Sequence, residues 1–330
     1  MKLLIKPVSF VNQTGCRIKH LLYKTGVFHA QEVPVPVISV GNIRMGGSEK
    51  TPLVINLLSF LLEKGKNPAM VTRGYKGLWE QKGGILSDGK SIMGDWRSAG
   101  DEPYMTAKRL PSVGIFIGKD RYSSCLEAVK LGFDTVVLDD GFQHLRLKRN
   151  LDIVLHNPLE NAYLREPVSA LKRADILLLK SLQGSSLKET LRSRFPNAKI
   201  FGYNVTFKGI YPPGDDKPLP IEALSSKRLI VFSGIANPSR FHLLLKNEGI
   251  RPIFTLDFHD HHSYPESTLS VLQKHYIRNH ADALLTTEKD IAKLSGSQSL
   301  EDIPLYYIKI DLDIDKAFYH EIFTMLQNEQ

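Results

Sequence analysis

No apolar run in the 330 residues approaches the 18 or so needed to span a bilayer. The longest, Val33–Val40 and Ala174–Leu179, have the length of strands. The opening MKLLIKPVSF is broken by Lys6 and Pro7 and lacks a secretory core, which predicts a protein that stays on the cytoplasmic side. Two cysteines, Cys16 and Cys125, are too few for a disulfide framework or a metal site of their own, so reduced thiols are expected. Asp and Glu are missing from residues 1–31, before Glu32. With 42% hydrophobic and 24% charged residues the composition is that of a globular protein, which excludes disordered, collagen-like and coiled-coil chains.

What is present in that acid-free start is Lys2, Lys6, Arg17, Lys19 and Lys24. On a helix, Ile18, Leu21 and Leu22 share one face while Lys19 and Tyr23 lie on another. Such a basic amphipathic segment either lies on an anionic membrane surface or packs as an ordinary first helix. The whole chain carries 43 Lys and Arg against 35 Asp and Glu, a net charge of +8, which favours anionic partners without choosing among them. Aromatic and basic residues do not interleave, and nucleic acid is not expected as a partner.

Val33–Asn42 reads as a buried strand, followed by a glycine loop and an apolar helix over Thr51–Lys64 with Pro52 in its first turn. Apolar runs recur at Ala69–Thr72, Val113–Ile117, Thr135–Leu138, Ile153–Leu155 and Ile176–Leu179, with a helix over Tyr122–Leu131 between two of them. Strands alternating with helices predict a parallel sheet covered on both faces. KGIYPPGDDKPLP, residues 208–220, is the best linker, and the rhythm resumes at Leu229–Phe232, Pro238–Asn247, Ile253–Leu256, Ala283–Thr286, Tyr306–Ile310 and Lys316–Gln327. The expected organisation is a basic segment over residues 1–30, a core domain over 31–206, a linker over 207–220 and a smaller α/β domain over 221–330.

Gly46-Gly47-Ser48-Glu49-Lys50-Thr51 stands between a strand and a helix, the context of a phosphate-binding P-loop. There backbone N–H groups cradle phosphate, a lysine reaches the β and γ oxygens, and a hydroxyl holds Mg2+. Lys50 and Thr51 fit the last two positions, whereas Arg44 and Glu49 stand where the pattern has glycine. Asp139-Asp140-Gly141-Phe142-Gln143-His144 follows a strand, at the position where P-loop enzymes bind Mg2+. Gly100-Asp101-Glu102-Pro103 adds two carboxylates before a helix, and Leu164-Arg165-Glu166-Pro167 an Arg–Glu step. His259-Asp260-His261-His262 suits an imidazole polarised by a carboxylate for proton transfer better than a zinc site. In Thr286-Thr287-Glu288-Lys289-Asp290, Thr287 or Glu288 is expected to cap the next helix.

SVGN, GGSEKTP, RGYKG, AGDEP, DRY, DDGFQH, LREP, FSGIANP, DHHSY and TTEKD occur in that order from about Val33 to Leu294. Together they resemble the tetraacyldisaccharide 4′-kinase (lipid A 4′-kinase) family. The resemblance implies two α/β/α domains, the first P-loop NTPase-like, joined by a β-ribbon linker with the active site in the cleft between them. It implies γ-phosphate transfer from ATP to the 4′-hydroxyl of a lipid A disaccharide precursor, by a peripheral enzyme on the cytoplasmic face of the inner membrane with no obligate protein partner. Carried over by motif, residues 44–51 (Arg44, Met45, Gly46, Gly47, Ser48, Glu49, Lys50 and Thr51) bind ATP. Thr51, Asp139, Glu102 and Asp140 surround Mg2+, and Asp101 is the general base with His261 as its partner. Gln143, His144, Arg165, Glu166 and Asp260 serve the acceptor or support the site. Two departures stand out: Glu49 in place of glycine, and Glu160-Asn161-Ala162-Tyr163 in place of a Pro-Ala-Gly step before LREP. A carboxylate about 6 Å from a phosphate charge is repelled by roughly 3 kcal/mol at an effective dielectric of 20, so weaker ATP binding is expected, relieved by pairing of Glu49 with Arg44.

The rival enzyme reading is a P-loop kinase of a soluble small molecule. A deviant-Walker ATPase would place its signature lysine at Met45. A degenerate nucleotide-binding protein, weakened by Glu49, is the rival outside catalysis.

Overall fold

The computed structural model describes residues 5–46, 49–157, 163–180, 185–294 and 298–327. Internal contacts divide the chain into two compact units, residues 1–204 with 312–330 and residues 205–311.

The first unit opens with α1 (Ile5–Lys24), β1 (Val37–Asn42), α2 (Lys50–Glu63) and β2 (Pro68–Thr72). Short helices α3 (Trp79–Lys82) and α4 (Trp96–Ala99) flank β3 (Gly84–Asp88) and lead into α5 (Asp101–Arg109). Then come β4 (Gly114–Ile117), α6 (Arg121–Lys130), β5 (Thr135–Asp139), β6 (Leu151–His156), β7 (Ile176–Lys180), α7 (Ser185–Arg194) and the start of β8 (Lys199–Tyr211). Neighbouring strands run β8-β7-β6-β1-β5-β2-β4-β3, parallel except where β3 meets β4. The expected α/β class with a mostly parallel sheet is therefore present. In a parallel sheet covered on both faces every strand position is buried, which is why β1, β5 and β6 read as apolar runs. The edge strand β3 and the mixed-polarity β8 did not stand out by that signal.

Helix α2 is apolar almost all round because it is covered from two sides. Leu53, Val54, Ile55, Leu57, Leu58 and Leu61 are buried, and Asn56 Nδ2 donates to the Leu312 carbonyl at 2.9 Å. Phe60 meets Tyr319 at 5.0 Å between ring centroids. Residues 312–327 thus pack with the first unit, with Phe318 and Ile322 fully buried, whereas the sequence division kept them with 221–330. A Leu57→Ala cavity in this layer costs about 2–5 kcal/mol.

The second unit holds the rest of β8, α8 (Glu222–Ser225), β9 (Leu229–Ser233), α9 (Pro238–Asn247), β10 (Phe254–Asp257), α10 (Glu266–Arg278), β11 (Ala283–Thr287), α11 (Glu288–Leu294) and most of β12 (Leu305–Ile314). Its parallel order is β10-β9-β11-β12. β8 runs through the first residues of the stretch read as a linker, and β12 returns the chain to the first unit, where α12 (Lys316–Gln327) follows.

Candidate active site

The carboxyl ends of parallel strands are where ligands bind in such sheets, and the sequence motifs of the first unit gather there. β1 ends at Asn42, and α2 begins at Lys50. Gly47 and Ser48, expected to bind phosphate, lie outside the described residues, as do Glu160, Asn161 and Ala162. Gly46 has φ 103, open space where a Cβ would be, and Met45 is exposed beside it. Glu49 adopts φ 54 and ψ 26, the left-handed conformation that glycine takes without strain. The carboxylate expected to pair with Arg44 takes Lys180 as its counter-ion, 2.6 Å from Oε1, and accepts from the Tyr203 hydroxyl at 3.4 Å. Arg44 bridges to Leu164 in the LREP segment. In SVGN, a Cβ on Gly41 would stand 2.5 Å from Phe142 Cβ, so glycine there lets the DDGFQH turn close on β1.

Asp139 ends β5, opposite Val40 of β1. It is buried; Oδ2 accepts from Thr72 at 3.4 Å, while Oδ1 has no hydrogen-bond partner among the described residues. Burial, with Glu102 and Asp140 nearby, pushes its carboxyl well above the usual range. Asp140 follows in a left-handed conformation, φ 55. Burial would raise it too, but Lys50 at 3.2 Å and Arg165 at 2.7 Å more than offset that and hold it at about 2. Thr51, buried in the first turn of α2, donates to Glu102 at 3.2 Å. Asp101, also buried, accepts the Glu102 amide at 3.0 Å at the head of α5.

A buried carboxylate oxygen without a donor, a hydroxyl and a second carboxylate are the donor set a hard divalent cation wants. Among the described residues no group of three or more His, Cys, Asp or Glu side chains gathers as a metal site on its own. Arg121, the arginine of DRY, was not among the expected site residues. It is buried, gives Nη1 to the Gly118 carbonyl at 2.8 Å, and lies close enough to feel the charges of Asp139 and Asp140. DRY was the signal that could have found it.

The remaining expected residues form a polar seam with α1. Gln143 donates to the Asn42 carbonyl at 2.7 Å and receives Lys19 on its own carbonyl at 3.2 Å. His144 is half-buried among cationic neighbours, and desolvation with Arg121 pulls its imidazole down to about 4. Glu166 is almost fully buried between Arg173 at 2.7 Å and His20 at 3.2 Å. Those partners override the effect of burial and hold its carboxyl below the usual range. Arg165 thus faces Asp140 and Glu166 faces α1, so the Arg–Glu step joins two structures. Cys16 Sγ reaches the Arg165 carbonyl at 3.6 Å; both cysteines are free.

In the second unit, Asp260 stands 3.6 Å from His261 Nε2 and 3.2 Å from Lys289 Nζ, and its Oδ1 accepts the His261 amide at 3.0 Å. His261 adopts φ 59. Thr287 caps α11 as expected, with its hydroxyl accepting the Asp290 amide at 3.1 Å. Asp290 is fully buried, pairs with Lys293 at 2.9 Å and accepts the Gly234 amide at 2.9 Å. TTEKD therefore ties FSGIANP and the histidine loop together, a role its sequence did not disclose.

Three comparisons with known proteins agree. The family model for LpxK, tetraacyldisaccharide-1-P 4′-kinase, matches residues 1–327. A tetraacyldisaccharide 4′-kinase of Desulfotalea psychrophila is 35% identical over 316 residues, covering 91% of this chain and 89% of its own. One of Geobacter metallireducens is 38% identical over 301 residues, 88% of each. The crystal structure of Aquifex aeolicus LpxK in complex with ATP matches at a TM-score of 0.76 and 30% identity, covering 98% of both chains.

Proposed function

Because the chain belongs to the LpxK family of tetraacyldisaccharide-1-P 4′-kinases, we propose that it transfers the γ-phosphoryl group of ATP to the 4′-hydroxyl of a tetraacyldisaccharide 1-phosphate, forming lipid IVA. The observation that carries this reading is the unpartnered, buried Oδ1 of Asp139 opposite β1, with Thr51 and Glu102 hydrogen-bonded to each other in the same unit.

Lys50, now on Asp140, moves to the β and γ phosphates as ATP enters, leaving Arg165 to hold the carboxylate. Thr51, Asp139 and Glu102 would hold Mg2+, which when bound neutralises charge on the phosphate oxygens. Asp101 takes the proton of the 4′-hydroxyl as the new O–P bond forms and the bond to ADP breaks. His261, beside Asp260, is the partner that the family motifs assign to that base, since a sugar hydroxyl is a poor nucleophile without a positioned base. Gln143 and His144 belong to the acceptor side.

The acceptor is a lipid, and we place the enzyme peripherally on the cytoplasmic face of the inner membrane. Ile18 and Leu21 of α1 are 55% and 59% exposed, beside the basic Arg17 and Lys24. No helix among the described residues is long and apolar enough to cross a membrane. The test is purified protein with labelled ATP and the disaccharide monophosphate in detergent. Label appearing on the lipid supports the reading. ATP hydrolysis indifferent to the lipid, or transfer only to a soluble acceptor, sinks it.

A further inference from the structure

Glu49 occupies the position before the phosphate-loop lysine, in a left-handed turn that disfavours any side chain. Its carboxylate is only 13% exposed and is held from two neighbouring strands. Lys180 is the last residue of β7, and Tyr203 lies opposite it in β8. The sheet register therefore delivers an ammonium to Oε1 at 2.6 Å and a phenol towards Oε2 at 3.4 Å. Tyr203 is 3% exposed, and burial beside Glu49 keeps its hydroxyl protonated as a donor.

We propose that Lys180 and Tyr203 are positioning residues for the phosphate loop: they fix Glu49 in its left-handed turn and cancel its charge, so that this loop presents Lys50 and Thr51 to a polyphosphate without a glycine. The inference rests on the ATP reading above and adds a device to it. A strained residue persists only where its surroundings over-determine it, and two contacts on one carboxylate do that. A partly buried carboxylate stripped of its counter-ion would face the phosphates uncompensated. Lys180 and Tyr203 act through Glu49, not on the nucleotide itself.

The test is calorimetric titration with Mg·ATP and steady-state kinetics of the full-length protein, for Lys180→Met, Lys180→Arg, Tyr203→Phe, and the first and third in a Glu49→Gly background. Lys180→Met should raise Kd and KM for ATP by roughly tenfold, with a much smaller fall in kcat at saturating ATP. Lys180→Arg should recover most of the loss, because it keeps the charge, and Tyr203→Phe should cost roughly two- to threefold. In the Glu49→Gly background both substitutions should lose their effect on ATP affinity, a result that a general folding defect would not give. Thermal unfolding without ligand separates such a defect. Two outcomes overturn the inference while leaving the ATP reading intact: wild-type affinity in Lys180→Met, or the same loss with glycine at position 49. A wild-type protein that takes up no Mg·ATP overturns both.

Discussion

Lys50 Nζ lies 3.2 Å from one oxygen of Asp140 while Arg165 holds the other at 2.7 Å. The preceding residue, Asp139, meets no cation within ion-pair distance among the described residues and keeps an oxygen without a donor. We therefore assign the two adjacent carboxylates different duties: Asp140 to orient cationic side chains, and Asp139 to receive a metal ion. Asp139→Asn should raise the Mg2+ concentration needed for half-maximal activity by roughly tenfold or more. Asp140→Asn should leave that requirement near wild type and lower kcat, since Lys50 and Arg165 lose their shared anchor. Magnesium titrations of both variants at fixed ATP check the assignment, and equal shifts would sink it.

Asp101 is buried at the head of α5 with the Glu102 amide on its Oδ1. Asp101→Asn keeps that acceptor and removes the proposed base. It should lower kcat about 10²–10⁴-fold with little change in KM for ATP. His261→Ala should be milder, and the double variant less than multiplicative if the proposed pairing of the two holds. Fully multiplicative losses would show two independent contributions.

Much of the first unit was legible because parallel strands buried on both faces leave continuous apolar runs, and β1, β5 and β7 stood within a few residues of where they fall. β3 was hidden because an edge strand faces solvent, and β8 because Lys199, Asn204, Thr206 and Lys208 interrupt its apolar positions. The motifs Asp139-Asp140, Asp101-Glu102 and Lys50-Thr51 announced themselves by residue type and by standing at strand ends. Their partners did not. Lys180 reaches Glu49 across 131 residues, His20 reaches Glu166 from a helix read only for its amphipathic face, and Lys289 reaches Asp260 from a motif read as a cap. Sheet register and helix docking create those pairs, and neither is written in local spacing.

His156, at the end of β6, is 4% exposed, and its Nδ1 has no partner among the described residues. Burial, with Arg44 and Arg194 nearby, lowers its imidazole from 6.5 to about 4. The folded protein keeps it neutral while the unfolded chain protonates near 6.5, so between those values the unfolded state binds more protons and stability falls as pH falls. The contribution is about 1.4 kcal/mol per pH unit across that window. His156→Gln cannot take up the proton. Its Tm relative to wild type should therefore rise as pH drops from 7 to 5 and stay flat between 7 and 8. A difference independent of pH would show that His156 titrates normally.

Helix α1 gives Lys19 to the Gln143 carbonyl and His20 to the buried Glu166, and leaves Ile18 and Leu21 outward. Deleting the helix would take His20 from the buried Glu166 and confound membrane loss with damage to the LREP segment. Ile18→Ser with Leu21→Ser avoids that, since both side chains are more than half exposed. Each apolar side chain moved into lipid contributes about 1.5–3 kcal/mol, and each basic residue at an anionic surface about 1 kcal/mol. The double variant should bind anionic vesicles at least tenfold more weakly while phosphorylating detergent-dispersed substrate at near the wild-type rate. Raising salt should weaken the remaining electrostatic attraction, which is screened within about 10 Å at 0.1 M. Co-sedimentation with vesicles, with and without anionic lipid, reads both effects. Unchanged sedimentation of the Ile18→Ser/Leu21→Ser protein would place the membrane contact elsewhere on the molecule.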